Sequence, residues 1–206
     1  MLWRQRIEGL KPFAYRQNAA PDALPWEAPP GQGAILVEEC ETWLKSHIAR
    51  LGEKASGDAY REASTLPSDY RSYLQEVPLT AHFYDDDVVF AVNPLPGLPD
   101  GRDTLASLFG WAFKRGNELI EENEGYNADY KGSHESDIFD DYFIIGASWS
   151  DFPVVLKLTE PCRGSIALWD RYSRMKDGSD KSNIYAVTDS FSAFIASLQK
   201  TGGLGT

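Results

Sequence analysis

Four short apolar runs in the second half of the chain constrain the fold more than any other feature. They are separated by polar segments and lie at Tyr142–Ala147, Pro153–Leu158, Ser165–Trp169 and Ile184–Val187. Short runs that are rich in β-branched residues are typical of strands. The turn at 159–164 is too short for a parallel crossover, which needs about a dozen residues or more, so it predicts an antiparallel hairpin.

Segments in which apolar residues recur at helical spacing lie before and after these strands. Between Ile35 and Leu51 apolar side chains recur three and four positions apart, with acids early and bases late, which favours a helix that ends at Gly52. Similar patterns predict three more helices, at 66–77, at 103–122 with Asp103 as the N-cap, and from a cap at Asp189 or Ser190 to Gly202. Val88–Val92 predicts one more strand. The expected fold class is α+β, a mostly antiparallel sheet flanked by helices.

Residues 1–34 differ in composition from the rest of the chain. They contain five of the twelve prolines, which disfavour a long helix or a central strand, and four large aromatic residues, which are many for a free linker. We therefore interpret residues 1–34 as an irregular, Pro-rich strap docked on an α+β domain of residues 35–206. A disordered N-terminal extension is the alternative.

The charge balance limits the classes of partner. Lys and Arg number 20 against 31 Asp and Glu, a formal net charge of −11. This charge disfavours direct binding to nucleic acid or to an anionic membrane and favours a basic partner. No apolar run approaches the ~20 residues of a membrane span, and the segment Met1–Arg6 lacks a signal-peptide core, so a cytoplasmic protein is expected.

The acidic residues are concentrated in two places. Residues 118–141 carry nine acids against one base, a net charge of −8 out of the chain's −11, and Asp85–Asp87 form a second cluster. A surface of this kind attracts a cationic macromolecule and imitates the phosphates that such a partner otherwise grips. A solvated loop that only keeps the protein soluble is the alternative.

Two tryptophans are candidate anchors for a partner. On the predicted 103–122 helix, Trp111 lies outside the apolar stripe and shares its side with Glu118 and Glu122. A large aromatic side chain among acids is typical of a binding anchor, although Trp111 could instead pack under the strap. Trp149 lies between two predicted strands beside Asp151, either as a rim contact or tucked against the end of the sheet.

Catalytic constellations are sparse. The three histidines, His47, His82 and His134, have no metal-ligand spacing, and Asp85–Asp87 lack a calcium-loop pattern. We expect no catalytic residue, metal or cofactor. A metal-dependent or small-molecule enzyme that uses Asp85–Asp87 and His134 is the alternative. Cys40 and Trp169 are predicted core residues, and no disulfide is expected.

Three segments carry a resemblance to a known family. They are Leu66-Pro67-Ser68-Asp69-Tyr70 at a helix start, the hairpin end Gly164-Ser165-Ile166-Ala167-Leu168-Trp169-Asp170, and Asp189-Ser190-Phe191 before Phe194 in the last helix. Together with the order of elements, they resemble the SUKH superfamily. The resemblance implies a SUKH-like α+β fold and a non-enzymatic protein-binding domain. In the immunity branch of that superfamily such a domain binds and blocks a toxin, often a nuclease; in the eukaryotic-regulator branch it is an interaction scaffold.

The resemblance and the charge together predict an immunity protein that blocks a basic polymorphic toxin by occlusion. The regulatory scaffold is left open beside it, as is the oligomeric state. The candidate partner-binding residues are the two acidic clusters and the two tryptophans with their neighbours: Asp85, Asp86, Asp87, Trp111, Glu118, Glu122, Asp137, Asp140, Asp141, Trp149 and Asp151.

Overall fold

The structure is a computed structural model that describes residues 2–12, 24–84, 87–92, 98, 100–112, 116–129, 141–170 and 183–201, without the side chains of 54 and 126–129. Its helices are α1 Trp3–Gly9, α2 Gln32–Leu51, α3 Ser68–Glu76, α4 Glu118–Asp129 and α5 Phe191–Ser197, with two 3₁₀ turns at Gly52–Ala55 and Asp58–Tyr60. Its strands are β1 Ala81–His82, β2 Val88–Ala91, β3 Arg102–Leu108, β4 Trp111–Ala112, β5 Gly116–Asn117, β6 Tyr142–Ser148, β7 Pro153–Lys157, β8 Ile166–Trp169, β9 Ile184–Thr188 and β10 Gln199–Lys200.

The main sheet is antiparallel and has the strand order β10-β2-β3-β6-β7-β8-β9, with β1 paired to β3. The four apolar runs that the sequence places in strands form β6, β7, β8 and β9, which confirms the α+β fold class. Successive residues Val154, Val155 and Leu156 are all buried, because both faces of this part of the sheet are covered.

The predicted helix at 103–122 is wrong. Its first part is the strand β3, and helix α4 begins only at Glu118, where the Asn117 side chain accepts a hydrogen bond from the N–H of Ile120, as an N-cap does. On β3 every second side chain faces inward and is buried, and these side chains are Asp103, Leu105 and Ser107. Because two of these three are polar, the period of two that marks a strand is hidden in the sequence.

Two glycines let the backbone approach closely around this strand. A Cβ on Gly110 would lie 2.5 Å from the carbonyl oxygen of Pro78, and a Cβ on Gly146 of β6 would lie 2.4 Å from that of Ser107. Only a residue without a side chain fits at either place. Gly110 lies in the short link between β3 and β4, packed on the backbone of Pro78 and Leu79, where the sequence pattern predicts a continuous helix.

The three segments that carry the family resemblance meet in space. Pro67 lies 3.6 Å from the Cβ position of Gly164, and the Asp69 carboxylate accepts a hydrogen bond of 2.8 Å from the N–H of Ser192 in α5. Tyr70 packs on Phe191 with ring centroids 4.8 Å apart. These residues hold α3, α5 and the β7–β8 hairpin together. A structural role within the domain is therefore enough to explain why these residue types occur at these positions.

The N-terminal residues that the structure describes pack on the rest of the chain. Trp3 and Ile7 of α1 are buried, and the Trp3 indole donates a hydrogen bond of 3.2 Å to the hydroxyl of Ser72. The Arg6 guanidinium donates to the carbonyls of Ile195, Ala196 and Leu198 at 2.6–3.2 Å, where α5 ends. Helix α2 begins at Gln32, two residues before the predicted end of the strap. The division of the chain into a strap of residues 1–34 and a domain of residues 35–206 stays a prediction.

Among the helices described, none is both long enough and apolar enough to cross a membrane.

Candidate functional site

Strand β6 separates the described members of the predicted site into two groups. Asp141 directly precedes the strand, whereas Trp149 and Asp151 follow its other end. Seven residues in a strand span roughly 20 Å, so the two groups are not one continuous surface. Asp85, Asp86, Asp137 and Asp140 lie outside the described residues, and their assignment stays a prediction.

Three of the predicted residues, Glu118, Asp141 and Trp111, are partly used inside the domain. Glu118 is buried, accepts a hydrogen bond from the Thr80 hydroxyl, and therefore does not face a partner. Asp141 is half-buried and accepts a hydrogen bond of 2.9 Å from the Tyr60 hydroxyl. Trp111 is half-buried on β4, and because no helix runs through it, the helical side that it was predicted to share with Glu118 and Glu122 does not exist.

Trp149 lies in the turn between β6 and β7 and is held in place with its ring exposed. Its side chain is 48% exposed, yet its indole N–H donates to the Phe83 carbonyl at 3.3 Å and its backbone N–H donates to the Thr104 carbonyl at 2.9 Å. The turn is closed by a hydrogen bond of 2.9 Å from the Ser148 N–H to the Phe152 carbonyl. The turn thus presents an aromatic surface that is already ordered.

The contact with Phe83 brings Tyr84 and Asp87, the described residue of the second acidic cluster, near the same turn. Tyr84 is 57% exposed beside that contact, and the N–H of Asp87 donates to its carbonyl at 3.1 Å. Asp151 is exposed on the Trp149 turn and has a φ of 65°, a left-handed conformation that aspartate tolerates better than most residues. We name Tyr84, Asp87, Trp149 and Asp151 the Trp149 patch. It contains three of the predicted site residues.

Asp103 lies beneath this turn and supports it. It is 4% exposed, and its Oδ1 accepts hydrogen bonds of 2.8 Å from the Thr104 N–H and from the Ser150 hydroxyl. Ser150 lies between Trp149 and Asp151, so one buried carboxylate fixes the middle of the patch. The sequence pattern missed this role because it assigned Asp103 to a helix cap.

Tyr84 and Ser150 were also absent from the predicted set. An aromatic pair, Phe83-Tyr84, directly before the acidic triplet is a signal that sequence reasoning can use. Ser150 gives no such signal, because its importance comes from a contact with a strand 47 residues away in sequence.

The remaining side chains that could take part in catalysis or metal binding are buried or lie far apart. Burial raises the pKa of the Cys40 thiol to about 12, in agreement with the predicted core residue, whereas Cys162 is exposed. Within the described part of the chain, no three His, Cys, Asp or Glu side chains are grouped to hold a metal ion. His134 and two of the three aspartates of the enzyme alternative lie outside that part, so the alternative stays a prediction.

His82 gives the domain a pH-dependent stability. It lies half-buried on β1, and burial lowers its pKa to about 4 from a usual value of 6.5. Between these two values the unfolded chain binds a proton that the folded chain does not. The contribution of His82 is therefore complete above pH 6.5 and is lost as the pH falls towards 4.

We expect His82→Gln to flatten the pH dependence of stability between pH ~7 and ~4.5 by about 1–2 kcal/mol, after allowance for the exposed part of the ring. Urea unfolding at both pH values measures the free energy of unfolding of wild type and variant. Parallel pH dependence in the two proteins would contradict the assignment.

Compared with protein-family models, curated proteins and solved structures, the chain matches none of them. The resemblance to the SUKH superfamily therefore stays a prediction that depends on the three sequence segments.

Proposed function

We propose that this chain is a non-enzymatic protein-binding domain that docks a basic protein partner on the Trp149 patch. The observation that carries the proposal is the exposed Trp149 ring, fixed by hydrogen bonds on both its indole and its backbone beside the acidic residues Asp87 and Asp151. Tryptophan is enriched among the residues that dominate binding energy, and an ordered ring loses little conformational entropy when a partner covers it.

Charge specifies the kind of partner. The chain carries a net charge of −11, and the patch adds local carboxylates to that long-range field. Such a field accelerates the approach of a positively charged surface and repels acidic ones. The patch thus combines steering by charge with an apolar anchor, which is the division of roles that a specific interface needs.

The resemblance to SUKH proteins makes the proposal more specific. In its terms the partner is a basic toxin such as a nuclease, and binding occludes the toxin surface that would otherwise hold phosphate. A regulatory scaffold remains the second candidate, because the same patch serves either role. The position of the gene separates the two, since an immunity gene lies next to a large toxin gene.

Affinity capture with matched variants tests the proposal. Wild-type protein, Trp149→Ala and Ile35→Ala are used as baits in extracts of the native cell; Ile35 is an apolar residue of similar exposure on α2. We expect that wild type and Ile35→Ala both retain a basic protein from the extract. Trp149→Ala should bind that protein with an affinity lower by about 30-fold or more, as for an interface hot spot.

The kinetics of the captured partner test the role of charge. Asp151→Asn combined with Asp87→Asn is expected to slow association several-fold in low salt, with a smaller effect in high salt, because salt screens the attraction. Glu38→Gln on α2 combined with Glu53→Gln in the 3₁₀ turn that follows, both at exposed positions, is the charge-matched control. A partner that binds Trp149→Ala as tightly as Ile35→Ala would disprove the proposed surface.

A further inference from the structure

Among the residues that the structure describes, none donates a hydrogen bond to one oxygen of the Asp103 carboxylate. Asp103 is nine-tenths buried or more, and while Oδ1 accepts hydrogen bonds from Thr104 and Ser150, Oδ2 accepts none from any residue that the structure describes. A buried carboxylate oxygen in this state costs free energy, more than a neutral group would. Such an atom needs a donor that a bound group can supply.

Ser150 separates this carboxylate from the surface of the Trp149 patch. Its hydroxyl lies 2.8 Å from Oδ1 of Asp103, so the carboxylate is directly beneath the residue between Trp149 and Asp151. Ser150 itself is exposed. A rotation about its χ1 bond takes the hydroxyl off the carboxylate without a change in the backbone, and exposed side chains rotate in this way within nanoseconds.

An aromatic ring next to a carboxylate favours a planar cation over a compact one. A guanidinium stacks on an indole ring and donates two parallel hydrogen bonds to a carboxylate, whereas an ammonium is a compact charge that holds its water more strongly. The ring of Trp149 and the carboxylate of Asp103 provide both halves of that recognition within one turn. Arg102, the neighbour of Asp103, points to the opposite side of β3, because successive side chains of a strand alternate.

We infer that the Trp149 patch takes an arginine side chain of the partner, whose guanidinium stacks on Trp149 and replaces the Ser150 hydroxyl on the Asp103 carboxylate. This inference rests on the proposed function and specifies the side chain that the patch recognises. Asp87 and Asp151 supply attraction that any cation feels. Asp103 supplies the preference for arginine.

Two peptides of equal charge test the inference, a capped hexa-arginine and a capped hexa-lysine. Binding is followed by the indole ¹⁵N–H signal of Trp149, which is assigned by its loss in Trp149→Phe. Charge attraction alone gives equal affinities for the two peptides. We expect hexa-arginine to bind about tenfold more tightly and to shift the Trp149 signal, as hydrogen bonds to a buried charged group require.

Two variants locate the preference. Asp103→Asn keeps an oxygen that accepts from Thr104 and Ser150 but removes the charge, and it should lower the affinity for hexa-arginine to that for hexa-lysine. Ser150→Ala removes the competing hydroxyl and should bind hexa-arginine at least as tightly as wild type. Because Ser150 is exposed, this second variant keeps the test decisive if Asp103→Asn fails to fold.

Each outcome bears on the inference separately from the proposed function. Equal affinities for the two peptides with a shifted Trp149 signal overturn the arginine preference and leave a patch for basic partners. The same holds if neither peptide binds while the captured partner still depends on Trp149. If neither peptide binds and capture is indifferent to Trp149→Ala, both the inference and the proposed function are disproved. A hexa-arginine preference that survives in Asp103→Asn overturns the role of Asp103.

Discussion

Trp169→Ala should lower the free energy of unfolding by about 3–5 kcal/mol, a large part of the stability of a domain of this size. Trp169 ends β8 and is 1% exposed, with Ile184 of β9 as its cross-strand partner. Truncation removes the apolar surface that the indole buries and leaves a cavity that the surrounding sheet closes only in part. Urea unfolding followed by circular dichroism measures the loss.

Trp149→Ala is the matched control, because it makes the same chemical change at an exposed ring. Its cost should stay below about 1 kcal/mol, since the side chain leaves the solvent only in part. Trp169→Ala should therefore impair stability and Trp149→Ala should impair binding. Equal stability losses in the two variants would contradict the burial assigned to these tryptophans.

Asn123→Ala should cost about 2–4 kcal/mol although it removes only a small polar side chain. The Asn123 amide of α4 donates to the Ile144 carbonyl and accepts from the Ile144 N–H, each at 2.9 Å, and it also donates to the Leu119 carbonyl at 2.7 Å. Strand β3 pairs with β6 as far as Gly146, and one more backbone bond follows, from the Phe109 N–H to the Ile145 carbonyl. The side chain therefore satisfies the backbone of β6 where the neighbouring strand has ended.

Alanine at this position leaves a buried N–H and a buried carbonyl of Ile144 without their partner. Glu121→Ala, an exposed change on the same helix, is the control and should alter stability by about 0.5 kcal/mol or less. Thermal and urea unfolding of both variants provide the comparison. A loss in Asn123→Ala no greater than that in Glu121→Ala would show that water replaces the amide at no cost.

The predictability of each element follows from which faces it buries. Strands β6–β9 are visible in the sequence because their apolar residues form short runs, and α2 and α3 because their apolar residues repeat at helical spacing. Strand β3 is not visible, since Asp103 and Ser107 occupy inward positions, and β1, β4, β5 and β10 have only two residues each. The last helix ends at Ser197 and not at Gly202, because Leu198 is already extended and leads into β10.

The candidate site shows the same limit for contacts distant in sequence. Trp149 and Asp151 are neighbours in the chain, so their common location is a local property. Asp87 comes near them through the bond from the Trp149 indole to Phe83, which spans 66 positions. The acidity of its segment predicts Glu118 at the surface, but it is buried: its carboxylate accepts a hydrogen bond from Thr80 and its N–H donates to the carbonyl of Gly110.

The contact between Arg6 and the end of α5 has a consequence for how the chain is made. The carbonyls of Ile195, Ala196 and Leu198 that the Arg6 side chain binds, and the strand β10 that pairs with β2, are among the last described residues to be synthesised. Helix α1 is synthesised before the other described elements, and its binding place, which includes α3, is complete only after α5 has been made. Until then the side chains of Trp3 and Ile7 lack part of their cover, because Trp3 packs on Phe191 of α5, and a nascent copy of this protein exposes apolar surface there.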